Sequence, residues 1–84
     1  MKTQIPPRLR WACRRGMLEL DILLGNFLEQ AYLVLPLDEQ AIFLKVLQCE
    51  DQDLFEWLTL KKIPQDPEIK SMIEKIRLHA KQPH

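Results

Sequence analysis

Apolar residues recur every three or four positions along almost the whole chain, which is the spacing of one face of an α-helix. Only two glycines occur and β-branched residues are sparse, so β-strands are not expected. Prolines and glycines divide the pattern into five segments. The sequence therefore predicts an all-α fold, a compact bundle of five short helices. It forms a single domain over residues 1–84, with an N-terminal arm (1–7) and a short tail (82–84).

The first two predicted helices meet at a glycine. Pro6 and Pro7 open the first helix, because proline is tolerated in a first turn, and Gly16 stands where a C-terminal cap glycine would stand. The second helix runs from Met17 to about Leu33, with Gly25 in its interior as a weak point that suits a close helix crossing. Its predicted apolar face consists of Leu20, Leu23, Leu24, Phe27, Leu28 and Ala31.

Acidic residues and prolines mark the remaining helices. A third helix is predicted to begin at Asp38, and Asp51 is the predicted N-cap of a fourth, which Pro64 stops. The fifth has the clearest start, with Asp66 as N-cap and Pro67 at the first helical position. The predicted buried positions are Ile42, Phe43, Val46, Leu47, Leu54, Phe55, Trp57, Leu58, Ile69, Met72, Ile73 and Ile76, while Lys70, Glu74 and Arg77 are predicted to face water.

The net charge of zero hides a segregation along the chain. Residues 1–16 carry five positive charges and no acid, residues 17–60 carry a net eight negative charges, and residues 61–84 a net three positive charges. Taken alone, the balanced total argues against a generally basic nucleic-acid binder or an acidic tail. The sign changes close to Gly16, and this junction is where we expect a partner to dock.

The apolar runs and the cysteine count argue against membrane-spanning, secreted and disulfide-rich proteins. The longest apolar run has seven residues, whereas a membrane-spanning helix needs about 20. The first ten residues lack the apolar stretch of a secretory signal. Two cysteines are too few for a disulfide framework. We therefore expect a cytoplasmic protein without membrane insertion.

Candidate catalytic and metal-binding residues are scarce. Ser71 is the only serine and sits on the exposed edge of the last helix, while His79 and His84 lie in the C-terminal tail, without a buried setting to tune a pKa. Cys13 and Cys49 are too far apart in sequence for a zinc pair and are predicted to be buried thiols. The acidic cluster of residues 50–56 lacks the spacing of a calcium loop and suits a helix N-terminus. No catalytic residue and no metal site are predicted.

The basic N-terminal segment allows two interpretations. Arg8, Arg10, Arg14 and Arg15 could neutralise phosphates, and Trp11 could stack on a base. The acidic stretch that follows would repel a polyanion, so a basic helix end that covers an acidic neighbour is favoured and no nucleic acid is expected. Trp11 itself either packs against a neighbouring helix or serves as a binding anchor, because Trp and Arg dominate interface hot spots.

A short motif adds a family resemblance. Residues 11–21 read W-A-C-R-R-G-M-L-E-L-D, and D-Q-D-L-F-E-W-L follows at 51–58. This combination resembles the SdhE/YgfY family, the flavinylation factors of succinate dehydrogenase, whose hallmark R-G-x-x-E corresponds here to Arg15, Gly16 and Glu19. The resemblance covers residues 8–60; the last helix matches in pattern only.

The resemblance implies a small assembly chaperone that is not an enzyme. Members of the family bind the flavoprotein subunit of succinate dehydrogenase, and in bacteria also that of fumarate reductase, and promote covalent attachment of FAD to it. The chain would then need no cofactor of its own, and direct binding of free FAD stays open. The alternatives are an antitoxin-like partner of a small membrane-associated toxin and, third, a nucleic-acid-binding helical module. A monomer is expected, because neither heptads nor a surplus apolar helix face is apparent.

The expected partner-binding residues surround the motif. Gly16 lets the chain turn, and a side chain there would require an unfavourable positive φ or block a partner's approach. Arg15 supplies a planar fork for carboxylates or phosphates, with Glu19 as a nearby acceptor, unless the two form an ordinary surface ion pair. The full predicted set is Arg15, Gly16, Glu19, Trp11, Arg14, Asp21 and Arg8.

Overall fold

The computed structural model describes residues 5–81, and within them all regular structure is helical. The α-helices are α1 (Pro7–Ala12), α2 (Leu18–Gln30), α3 (Leu37–Leu47), α4 (Asp51–Leu58) and α5 (Pro67–Lys81), and a 3₁₀ turn, Tyr32–Val34, follows α2. The prediction of an all-α bundle of five helices is confirmed. None of the helices in this part of the chain is long and apolar enough to cross a membrane.

The core forms where α5 packs against α2, α3 and α4. Phe43 of α3 is fully buried and touches two other rings, with centroid distances of 5.4 Å to Phe27 and 5.6 Å to Tyr32. Each such side chain contributes about 1.5–3 kcal/mol by leaving water. Every predicted apolar position of α5 is buried, as the helical spacing requires. The largest fully buried side chains are Phe43, Leu20, Leu24, Leu28, Leu54, Met72, Ile76, Val46 and Cys13.

The N-cap predicted for α5 is confirmed. The Asp66 carboxylate accepts hydrogen bonds from the backbone N–H groups of Glu68 (2.8 Å) and Ile69 (3.4 Å), and Pro67 occupies the first helical position. The side chain of Lys45 also donates to Asp66, at 2.7 Å. These bonds stabilise the charged carboxylate and hold the pKa of Asp66 below its usual value.

The N-cap predicted for α4 is wrong. Asp51 is the first residue of α4 and Glu50 precedes the helix without a capping side-chain bond. The carboxylate of Asp51 instead accepts a hydrogen bond from Arg15, 36 positions earlier. The side chain of Asp51 therefore forms a tertiary ion pair and does not cap the helix. The start of α3 also differs by one residue, since it begins at Leu37 and not at Asp38.

The second helix is shorter than its predicted span to Leu33. It begins at Leu18, after Met17, and ends at Gln30, before the 3₁₀ turn. The side-chain amide of Gln40 donates to the backbone carbonyls of Tyr32 and Leu35, at 3.1 and 3.2 Å. These bonds from α3 satisfy carbonyls that a continued α-helix would have used internally.

Several side chains lie elsewhere than predicted. His79 is not in a tail but half-buried in α5, edge-on to Phe27 with ring centroids 5.4 Å apart. Arg77, predicted to face water, is half-buried, and Trp57 is only half-buried at the border of the core. Of the predicted arm, Ile5 is 5% exposed within the core and Pro7 is helical. Residues 1–4 of that arm and the tail 82–84 lie outside the described residues.

The surface carries more apolar area than the sequence suggested. Within residues 5–81, nine large apolar side chains are at least 39% exposed, among them Trp11, Val34 and Leu37. The expectation of a monomer assumed that no surplus apolar face exists, and that assumption is wrong. The monomeric state stays a prediction.

The two thiols differ in burial. Cys13 is 2% exposed, as predicted, and burial raises its pKa to about 11. Cys49 is only half-buried, so its predicted burial is wrong in degree, although partial burial also raises its pKa. Both cysteines are free thiols.

This difference predicts selective modification. At pH 8 a thiol with a pKa near 11 is ionised in about one molecule in a thousand, and Cys13 is also shielded from reagent. We expect Ellman's reagent to modify Cys49 of the folded protein at least ~10-fold faster than Cys13. Variants Cys13→Ser and Cys49→Ser assign the two phases. Equal rates for the two thiols in the folded protein would contradict the described burial.

Candidate functional site

The motif lies in the loop between α1 and α2. Helix α1 ends at Ala12 and Cys13 is its C-cap, so Gly16 lies beyond the cap and its predicted capping position is wrong. The loop is held from within, because the backbone N–H of Arg15 donates to the carboxylate of Asp21 at 2.6 Å. Asp21 lies in the first turn of α2, where the helix dipole also favours an acid.

The Arg15 side chain points into the molecule. Its Nε donates to Asp51 at 2.7 Å, and its Nη1 donates to the carbonyls of Ala12 (2.9 Å) and Leu47 (2.8 Å). Its Nη2 donates to the carbonyl of Cys49 at 2.7 Å. One guanidinium therefore joins the end of α1, the end of α3 and the start of α4, and only 16% of the side chain is exposed.

These bonds change the role expected for the motif arginine. The fork that could have bound a partner's carboxylate is occupied by groups of the chain itself. Glu19 is exposed and makes no ion pair with Arg15 within the described residues, so the surface ion pair considered from the sequence is not formed. The structure thus makes Arg15 a positioning residue for the loop. The sequence held one signal of this inward role. The segment 51–58, which resembles the family together with the motif, begins with Asp51, the ion-pair partner of Arg15.

Gly16 needs a glycine for its backbone conformation. Its φ is +86°, in a region of backbone conformation that residues other than glycine rarely adopt. A Cβ built on Gly16 would have no atom of the chain within 4 Å, so space inside the molecule is not the constraint. The residue is exposed, which leaves its backbone open to another protein.

A groove of about 390 Å³ lies between α1 and α2, beside the motif. Trp11 and Arg14 line it from one side and Gly25 from α2. Trp11 is 76% exposed, so of its two interpretations the structure does not support packing against a neighbour. A Cβ at Gly25 would also meet nothing within 4 Å, so the predicted close helix crossing is wrong and this glycine instead keeps the groove open.

Two further apolar side chains on α2 are exposed. Leu18 is 77% and Ile22 is 50% exposed, and they lie one turn apart on the same side of the helix. At 100° per residue this stripe falls between Gly25 and Glu19. Sequence reasoning missed both, although they lie off the buried stripe of α2 and could have been found as its surplus apolar positions. We define the docking face as Trp11, Arg14, Gly16, Leu18, Glu19, Ile22 and Gly25.

The basic segment is partly neutralised in the fold. Arg10 forms an ion pair with Glu29 that lowers the pKa of that carboxyl, and Arg15 is paired with Asp51. Arg8 and Arg14 are exposed and form no ion pair within residues 5–81. The docking face therefore carries isolated charges beside apolar area, rather than a continuous basic track for a polyanion.

Two of the four acids in residues 50–56 form ion pairs. Asp51 binds Arg15, and Glu56 lies 3.5 Å from Lys62. No group of three or more potential ligands for a metal ion occurs among the described residues.

Comparison with known proteins places the chain in a family. Residues 7–80 match the family model described as the flavinator of succinate dehydrogenase. The chain is 43% identical over 73 residues to the FAD assembly factor SdhE of Shewanella oneidensis, covering 87% of this chain and 89% of that protein. It is 48% identical over 66 residues to the same factor of Idiomarina loihiensis, covering 79% and 73% of the two chains. For Pseudomonas aeruginosa the identity is 46% over 69 residues, or 82% of each chain. The chain therefore belongs to the family of flavinators of succinate dehydrogenase, as its motif predicted.

Proposed function

We propose that this chain is an assembly factor that binds the flavoprotein subunit of succinate dehydrogenase and promotes covalent attachment of FAD to that subunit. The observation that carries the proposal is the groove lined by the exposed Trp11, Arg14 and Gly25, together with the exposed loop at Gly16 that follows Trp11 in the chain. Its relatives are named as FAD assembly factors. The flavoprotein subunit of fumarate reductase is a second client of the same kind.

The docking face would act through binding alone. A protein that binds one conformation of its client more tightly than another shifts the client's population toward it. Raising a conformation from about 1% to about half of the molecules takes roughly 100-fold tighter binding, or about 2.7 kcal/mol. A few well-buried anchors supply that amount. The chemistry then occurs on the client, and the factor needs neither a catalytic residue nor a cofactor.

The roles of the individual residues follow from their exposure. Trp11, Leu18 and Ile22 offer apolar area that a partner can bury, which makes them the anchors. Arg14 and Glu19 would form the charged rim that fixes orientation. Gly16 would allow the partner's backbone to approach the loop.

Reconstitution tests this function. Apo-flavoprotein subunit is incubated with FAD, with and without the factor, and covalently bound flavin is measured by fluorescence of the denatured subunit on a gel. We expect the factor to increase the rate of attachment and to be retained by the immobilised subunit. Equal rates with and without the factor would contradict the proposal.

Filling the groove at Gly25 separates binding from folding. Because a Cβ there meets nothing, Gly25→Ala is expected to stabilise α2 by about 0.5–1 kcal/mol. Gly25→Leu is expected to remain folded but to occupy the groove, and so to weaken binding of the flavoprotein subunit at least ~10-fold. Urea unfolding and calorimetric titration measure the two effects.

Ala41→Leu is the matched control, because it adds the same side chain to an exposed position in the interior of α3. It should leave subunit binding unchanged. If Gly25→Leu bound the subunit as tightly as the unmodified chain, the groove would not belong to the docking face.

A further inference from the structure

A second candidate surface begins where α4 ends. The backbone N–H of Leu60 donates to the carbonyl of Trp57 (3.3 Å) and that of Lys61 to the carbonyl of Glu56 (2.8 Å), which closes the helix end. This arrangement places Leu60 at a position that favours glycine, with a φ of +66°. It is the one residue other than glycine with a positive φ among residues 5–81. The left-handed conformation is unfavourable for leucine, because its Cβ crowds the following carbonyl.

Burial does not offset this strain. Leu60 is 63% exposed and Ile63, three residues later, is 68% exposed, so neither side chain contributes much to the core. Together with the half-buried Trp57 they border a cavity of about 290 Å³ that extends to α5. The positive φ of Leu60 follows from the closure of the helix end, whereas the exposed apolar side chains of Leu60 and Ile63 are available to a partner. We name Trp57, Leu60, Ile63, Lys70 and Arg77 the second surface.

The charges around this cavity are mainly positive. Its lining includes Lys70 and Arg77 against a single acid, Glu74, and also Lys62, which is paired with Glu56. The Nε of Arg77 is buried and has no hydrogen-bond partner among the described residues. An unpaired buried donor is unfavourable, so Arg77 retains hydrogen-bonding capacity next to the cavity that it lines. Apolar side chains within a basic rim fit an acidic segment that carries an apolar anchor.

We propose that the second surface binds an acidic segment of the same flavoprotein client, an inference that rests on the proposed function. Arg15, in the loop that carries Gly16, contacts the first residue of α4, and Leu60 follows the last turn of that helix, so α4, about 12 Å long, connects the loop of the docking face to the second surface. Because both surfaces belong to one compact chain, binding at the first raises the effective concentration of the client at the second. The factor thereby holds two parts of its client at a fixed separation.

Leu60→Gly tests this surface without weakening the fold. Glycine relieves the backbone strain, so the urea midpoint is expected to stay unchanged or to rise. Affinity for the flavoprotein subunit is expected to fall at least ~10-fold in calorimetric titration. Lys70→Glu, which reverses an exposed charge on the same surface, should also weaken binding and reduce its dependence on salt.

Leu37→Ala is the control, because Leu37 is 82% exposed at the start of α3, outside the second surface. This variant should bind the subunit as tightly as the unmodified chain. Unaltered binding by Leu60→Gly, with the unmodified chain still binding, would overturn the second surface and leave the proposed function intact. Failure of the unmodified chain to bind the subunit would overturn both. Light scattering tests a second occupant of this surface. If the unmodified chain formed a concentration-dependent dimer and Leu60→Gly abolished it, the second surface would bind another copy of this chain and not the client.

Discussion

A Gly16→Arg variant is expected to remain folded but to lose most of its ability to promote covalent flavin attachment. The φ of +86° makes any side chain other than glycine unfavourable, by about 1–2 kcal/mol. Nothing in the chain obstructs the new side chain, so the fold should persist with reduced stability. The arginine would project into solvent from the exposed loop of the docking face. We expect attachment to slow at least ~10-fold in the gel-fluorescence assay.

Gly16→Asn separates backbone strain from obstruction, because asparagine tolerates the left-handed conformation better than other side chains. If obstruction dominates, Gly16→Asn should be nearly as stable as the unmodified chain and still impaired in subunit binding. Attachment at the original rate by a folded Gly16→Arg variant would show that a partner does not approach this loop.

An Arg15→Ala variant is expected to lose about 3 kcal/mol of unfolding free energy. The substitution leaves three backbone carbonyls and the Asp51 carboxylate without their shared donor. Hydrogen bonds to charged groups contribute about 1.5–3 kcal/mol each, and the partial exposure of Asp51 reduces the sum. Because small domains are stable by only about 5–15 kcal/mol, the loss should be obvious in urea unfolding followed by circular dichroism.

Arg14→Ala is the matched control, since Arg14 is exposed and unpaired within the described part of the chain. It should leave stability unchanged within about 0.5 kcal/mol. A double-mutant cycle with Asp51→Asn isolates the ion pair from the carbonyl contacts. If Arg15→Ala were as stable as the unmodified chain but failed to bind the subunit, Arg15 would contact the client directly and the positioning role would be wrong.

The helical architecture was accessible from sequence because its signals are local. Apolar spacing identified the buried faces of α2, α3 and α5, and the Asp66-Pro67 pair identified the start of α5. The predictions were wrong at the end of α2 and at the N-cap of α4. At each place a side chain from another element forms hydrogen bonds, Gln40 at the 3₁₀ turn and Arg15 at Asp51. Local rules cannot anticipate a hydrogen bond that depends on how helices are arranged.

The sequence by itself determined the fold class, the family motif and the need for glycine at position 16, because spacing and residue type express these directly. Only the tertiary structure decided which motif side chain points inward. It turned Arg15 toward Asp51, left Trp11 exposed, and opened a groove at Gly25 where a helix crossing was expected. It also exposed Leu60 in a strained conformation. The physical reason is that burial and pairing are properties of neighbours brought together from distant parts of the chain, and the pattern of one segment does not contain them.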